Sequence, residues 1–79
     1  MKIVIAGAGE VGSHLAKMLS NESNDIVVID SDETRLNALR ANTDVVTVEG
    51  NPSTLNVLRE AGVHEADLFI AVNPSESQD

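Results

Sequence analysis

The chain has 79 residues with no cysteine, and its 13 acids against 5 bases give a formal net charge of −8. That length holds one small domain, burying roughly 60% of the surface of its unfolded chain. The charge excludes a basic nucleic-acid-binding face, the cysteine count excludes disulfides and thiolate metal sites, and no apolar run approaches the roughly 20 residues of a membrane span. Hydrophobic residues make up 42% but Phe69 is the single aromatic, so a core must be built from Val, Ile, Leu and Ala.

The first element is the apolar run Ile3–Ala6, which reads as a strand. It leads directly into Gly7-Ala8-Gly9-Glu10-Val11-Gly12, a G-x-G-x-x-G turn. In that pattern the first glycine permits a tight turn, the second lets backbone approach a pyrophosphate, and the third lets the helix pack closely on its strand. The motif alone is weak, but a strand before it, a helix after it and an acid closing the next strand supply its context. Val11, Leu15, Met18 and Leu19 then predict one apolar stripe of a helix.

Ile26–Ile29 predicts a second strand, closed by Asp30, 18 residues beyond Gly12. A carboxylate at that position accepts both hydroxyls of an adenosine ribose. A 2′-phosphate would meet Asp30 and Asp32 rather than an arginine, so NAD is favoured over NADP. Asp30, Ser31 and Asp32 also place acceptors at the start of a second helix, whose buried stripe is Leu36 and Leu39.

Val45–Val48 predicts the third strand and Gly50-Asn51 its end. Asn51-Pro52 reads as N-cap and first residue of a third helix, with Leu55, Leu58 and Ala61 as its apolar stripe and Gly62 as its left-handed stop. Asn51 therefore has two readings, a helix cap or a border of the adenine ring. Leu68–Val72 predicts the fourth strand, and Asn73 after it lies where a pyrophosphate or distal ribose would pass.

All four apolar runs are continuous rather than alternating, which suits strands buried on both faces of a parallel sheet. The order βαβαβαβ predicts an α/β, Rossmann-like parallel sheet with strand order 3-2-1-4. A full doubly wound fold has six strands, so the expectation is one truncated domain spanning 1–79, with the fourth strand an open apolar edge. His14 and His64 have no ligand partner at metal spacing, and no nucleophile–base set is evident.

MKIVIAGAGEVGSHLAKML, NDIVVID, VEGN and EAGV-x-x-ADLFIAV together resemble the N-terminal part of the RCK (KTN) domain family over the full chain. The resemblance implies a cytoplasmic regulatory module, not an enzyme, that binds NAD(H), with ATP or ADP as alternatives, and gates a membrane potassium transporter subunit as part of a homo-oligomer. By position it implies pyrophosphate on Gly7, Gly9 and Gly12, ribose on Asp30 and adenine near Asn51. Some members carry a basic residue at the position of Glu10, and the acid here opposes a strong response to ATP. The competing reading is the cofactor-binding fragment of an NAD-dependent dehydrogenase, whose catalytic group would have to come from another domain.

Overall fold

The computed structural model describes residues 1–20 and 22–72. Its elements run β1 (Lys2–Ala6), α1 (Glu10–Ser20), β2 (Asp25–Asp30), α2 (Glu33–Asn42), β3 (Val46–Glu49), α3 (Leu55–Glu60), a 3-10 turn (Val63–Glu65) and β4 (Leu68–Ala71). The four strands form one parallel sheet in the order β3-β2-β1-β4. This is the Rossmann-like arrangement expected, with β1 paired to β2 from Lys2↔Asp25 to Ala6↔Ile29 and to β4 from Ile3↔Leu68 to Ala6↔Ala71.

Side chains alternate across the sheet, and each face has its own core. On one face Ile3, Ile5, Ile26 and Val28 pack with Ala16 of α1 and Leu36 and Leu39 of α2. On the other, Val4, Val27, Ile29 and Val48 pack with Ala61, supported by Val57 and Leu58 of α3. The chain therefore changes faces between β3 and β4, beside β1. In open parallel α/β sheets that crossing leaves a crevice at the carboxyl ends of the strands, where ligands bind.

Only the two central strands are buried on both faces. β1 and β2 are buried nearly throughout, whereas in β3 only Val48 is buried and in β4 no residue is. A continuous apolar run does not distinguish a central strand from an edge strand, because both carry apolar residues while neighbours decide burial. On β4, Leu68 and Phe69 are each 43% exposed.

Two helix stripes differ from expectation. In α1 the inward residues are Gly12 and Ala16, flanked by half-buried Leu15 and Leu19, while Val11 and Met18 are more than half exposed. The sheet approaches this helix so closely that only small residues fit beneath it, which rotates the larger apolar residues outward. Of the third stripe, Leu58 packs against the core and the C-cap Ala61 is buried as expected, but Leu55 is 60% exposed. Leu36 and Leu39 are buried as their spacing predicts.

The third helix also starts later than Asn51-Pro52 predicts. Its N-cap is Thr54 and its first residue Leu55. Asn51 instead closes a turn ahead of the helix: its Oδ1 accepts the Ser53 amide at 2.8 Å and its carbonyl accepts the Thr54 amide at 3.0 Å. Asparagine readily makes such a side-chain turn in place of a cap. Gly62 does stop the helix, at φ +78° and with its amide on the Arg59 carbonyl at 2.9 Å.

Candidate functional site

The carboxyl ends of all four strands are tied together by backbone bonds. The Gly7 amide donates to the Ile29 carbonyl at 2.7 Å, the Gly50 amide to the Asp30 carbonyl at 3.0 Å, and the Val72 amide to the Ala6 carbonyl at 2.9 Å. Gly7, Asp30, Gly50 and Val72 thus lie along one edge of the sheet, as the sequence order requires.

The three glycines of the turn have separable roles. Gly7 adopts φ +120°, a conformation that disfavours any side chain, and a Cβ there would lie 3.0 Å from the Val72 carbonyl oxygen. At Gly12 a Cβ would lie 1.9 Å from the Gly7 carbonyl oxygen, so this position is glycine because helix and turn touch. Gly9 is different: a Cβ there meets no atom within 4 Å. Packing accounts for two of the three glycines, and the open space above Gly9 is where a ligand's backbone approach would need one.

Asp30 is the buried polar residue of the core, 6% exposed. Its Oδ2 accepts the Ala8 amide at 2.7 Å and its Oδ1 the Asp32 amide at 2.8 Å. The carboxylate therefore clasps the glycine turn with one oxygen and the start of α2 with the other. Each carboxylate oxygen has a second lone pair and so keeps capacity to accept one further hydrogen bond. The cap of α2 is made by Asp32, whose Oδ1 accepts the Thr34 amide at 2.9 Å, which leaves Asp30 outside that duty.

Ser13, which the sequence reading did not single out, secures the turn from the helix side. Its Oγ donates to the Ala8 carbonyl at 2.9 Å, and its amide donates to Gly9 at 2.9 Å. The amides in the first turn of α1 have no intrahelical acceptor and face the same edge. Glu10 and Val11 are exposed at the start of α1, and Ser31 is exposed between β2 and α2. Asn73 lies outside the described residues.

Beside the turn, between α1 and α2, is an open cleft of about 540 Å³. Ala8, Gly9 and Glu10 form one end of its lining, with Lys17 and Arg35 among the remaining residues. The structure amends one premise here. An arginine does stand beside these two acids: Arg35 Nη1 is 3.7 Å from Asp30 Oδ2, and its Nε is 3.6 Å from Asp32 Oδ2. Arg35 lies five positions beyond Asp30, so isolated bases in the sequence gave no sign of the convergence; the i,i+3 spacing from Asp32 was the available signal.

A strand–glycine turn–helix unit with a buried acid ending the next strand defines the class: the mononucleotide-binding half of a Rossmann-like fold. The TrkA-N domain profile matches residues 3–79, and the chain belongs to the TrkA-N domain family. It is 46% identical over 76 residues to the Trk system potassium uptake protein TrkA of Haemophilus influenzae, covering 96% of this chain and 17% of that protein. It is 49% identical to the protein of the same name from Halomonas elongata, and 46% identical to a Trk system potassium uptake protein TrkA homolog from Archaeoglobus fulgidus, with the same coverages. The chain thus spans about one sixth of the length of these relatives.

Proposed function

We propose that the chain is a nucleotide-sensing regulatory module of a potassium-uptake system, taking NAD(H) at the edge formed by the glycine turn and Asp30. The observation that carries this reading is the pairing of Gly9, whose missing side chain no packing contact explains, with the Asp30 carboxylate, which is clasped to the neighbouring Ala8 amide. Gly7, Ala8, Gly9, Glu10, Val11 and Gly12 would supply backbone toward the pyrophosphate, and Asp30 and Ser31 would meet the adenosine ribose. Asn51 would border adenine, and Asn73, outside the described residues, keeps its expected role toward the pyrophosphate or distal ribose.

Potassium uptake enters through the names of the relatives, which are much longer proteins. A membrane transporter subunit as partner, a homo-oligomeric assembly and a place at the inner face of the membrane belong to this proposal. Binding rather than turnover is the role in this proposal.

A ligand that binds the folded state raises its melting temperature in proportion to the logarithm of concentration over Kd. A thermal-shift panel of NADH, NAD, NADP, ATP, ADP and ADP-ribose is the test. The expected result is stabilisation by NAD(H) and ADP-ribose; a flat response to every adenine nucleotide contradicts the proposal.

A further inference from the structure

Arg35 and Arg40 lie on the same helix and use their guanidinium groups in opposite ways. Arg40 is fully engaged: Nη2 donates to Glu33 Oε1 at 2.7 Å and to Asn37, and Nη1 donates to Thr47 on β3. This arginine fastens α2 to the edge of the sheet. Arg35 is held at 3.6–3.7 Å by Asp32 and Asp30, inside ion-pair range but beyond hydrogen-bond range. Among the described residues its guanidinium donates no hydrogen bond. Its side chain is half exposed, so the attraction holding it is weak and solvent-screened.

A guanidinium oriented by charge, with its fork of five donors unspent, is arranged to bind an oxyanion in bidentate fashion. Its position agrees, for Arg35 lines the same cleft as Gly9 and the amide end of α1. The charge balance points the same way. Asp30, Asp32 and Glu10 surround this edge in a chain of net charge −8, and a phosphate entering it requires a counter-charge. Of the five lysines and arginines, Arg35 and Lys17 line this cleft, and among the described residues no carboxylate lies within 4 Å of the Lys17 ammonium.

We propose that Arg35 is a phosphate-recognition residue of the site, donating to a phosphate of the bound nucleotide while Asp30 takes the ribose hydroxyls. The inference rests on the nucleotide reading above and adds the group that recognises charge. The phosphate is either part of the pyrophosphate or carried on the ribose, and the two are separable by experiment.

Calorimetric titration of adenosine, ADP-ribose and NADP into the wild-type chain, Arg35→Gln and Arg35→Lys is the test, with circular dichroism to verify folding. Arg35→Gln is expected to weaken ADP-ribose about tenfold, the worth of one charged hydrogen bond, and to leave adenosine within about twofold. Arg35→Lys, which keeps charge but not the fork, falls between them. A loss confined to NADP assigns Arg35 to a ribose phosphate rather than the pyrophosphate. Equal weakening of adenosine and ADP-ribose makes Arg35 a mere brace for Asp30 and overturns the proposal, as does an Arg35→Gln variant that binds both phosphate ligands like wild type. A wild-type chain that binds none of the three removes the nucleotide reading itself, and Arg35's role with it.

Discussion

The Asp30 carboxylate accepts the Ala8 amide at 2.7 Å, joining residues 22 positions apart in the chain. This one bond makes the glycine turn and the end of β2 a single unit, and it has a measurable consequence. Asp30→Ala leaves the Ala8 and Asp32 amides without their acceptor, and an unsatisfied buried donor costs about 1–3 kcal/mol. Asp30→Asn keeps one acceptor oxygen and loses less. Urea denaturation should rank wild type above Asp30→Asn and both above Asp30→Ala.

Gly9 and Gly12 should respond oppositely to the same substitution. Gly12→Ala drives a Cβ to 1.9 Å from the Gly7 carbonyl oxygen, so turn and helix must separate. Overpacking of this kind costs about 1–3 kcal/mol or more. Gly9→Ala enters open space and should change stability by no more than about 0.5 kcal/mol. If Gly9→Ala unfolds the protein as readily as Gly12→Ala, the assignment of Gly9 to a ligand loses its basis.

The inner face of α1 gives a third contrast. Ala16 is fully buried against the sheet, whereas Met18 is 54% exposed. Ala16→Leu should destabilise by about 1–3 kcal/mol, and Met18→Lys should stay within about 0.5 kcal/mol. Thermal melts of the two variants check the rotation of the helix directly.

Strand order, helix alternation, the buried pair Leu36 and Leu39 and the glycine stop at Gly62 were all readable in the sequence, because each follows from local periodicity or backbone conformation. Half of the α1 stripe, Leu15 and Leu19, packs against the core as expected, while Val11 and Met18 do not, for a physical reason. Hydropathy rewards Val11 and Met18, while the separation between helix and sheet rewards Gly12 and Ala16, and separation is a tertiary quantity. The cap reading of Asn51 failed because one side-chain oxygen serves a cap and a turn equally well. Arg35 was missed because charge convergence between Asp30, Asp32 and a cleft is invisible in a list of single bases. Gly7, Gly9 and Gly12 were legible as a motif, but only their surroundings separate the two held by packing from the one left open.

A pH dependence arises where the first residue of α2, Glu33, meets the last residue of β3, Glu49. The Glu33 carboxyl beside Glu49 raises Glu49 above the ordinary carboxylate value of 4.5; for Glu33 the Arg40 hydrogen bond dominates and lowers it. The Glu49 contribution is present below the ordinary value and is lost as pH rises through its raised folded value. That of Glu33 is present above the ordinary value and is lost as pH falls through its lowered one. Glu49→Gln removes a like charge at neutral pH. It should raise the melting temperature at pH 7, with the gain shrinking as acid protonates Glu49 in the wild type. A gain that is constant with pH would place its origin elsewhere.

The central claim is that this sheet edge holds the adenylate half of a dinucleotide. Titration calorimetry of the wild-type chain with ADP-ribose, NAD and nicotinamide mononucleotide addresses it most directly. The account predicts that ADP-ribose binds about as tightly as NAD and that the mononucleotide barely binds, since β1, β2 and the turn between β1 and α1 meet the adenylate side. Nicotinamide mononucleotide binding as tightly as ADP-ribose would contradict it.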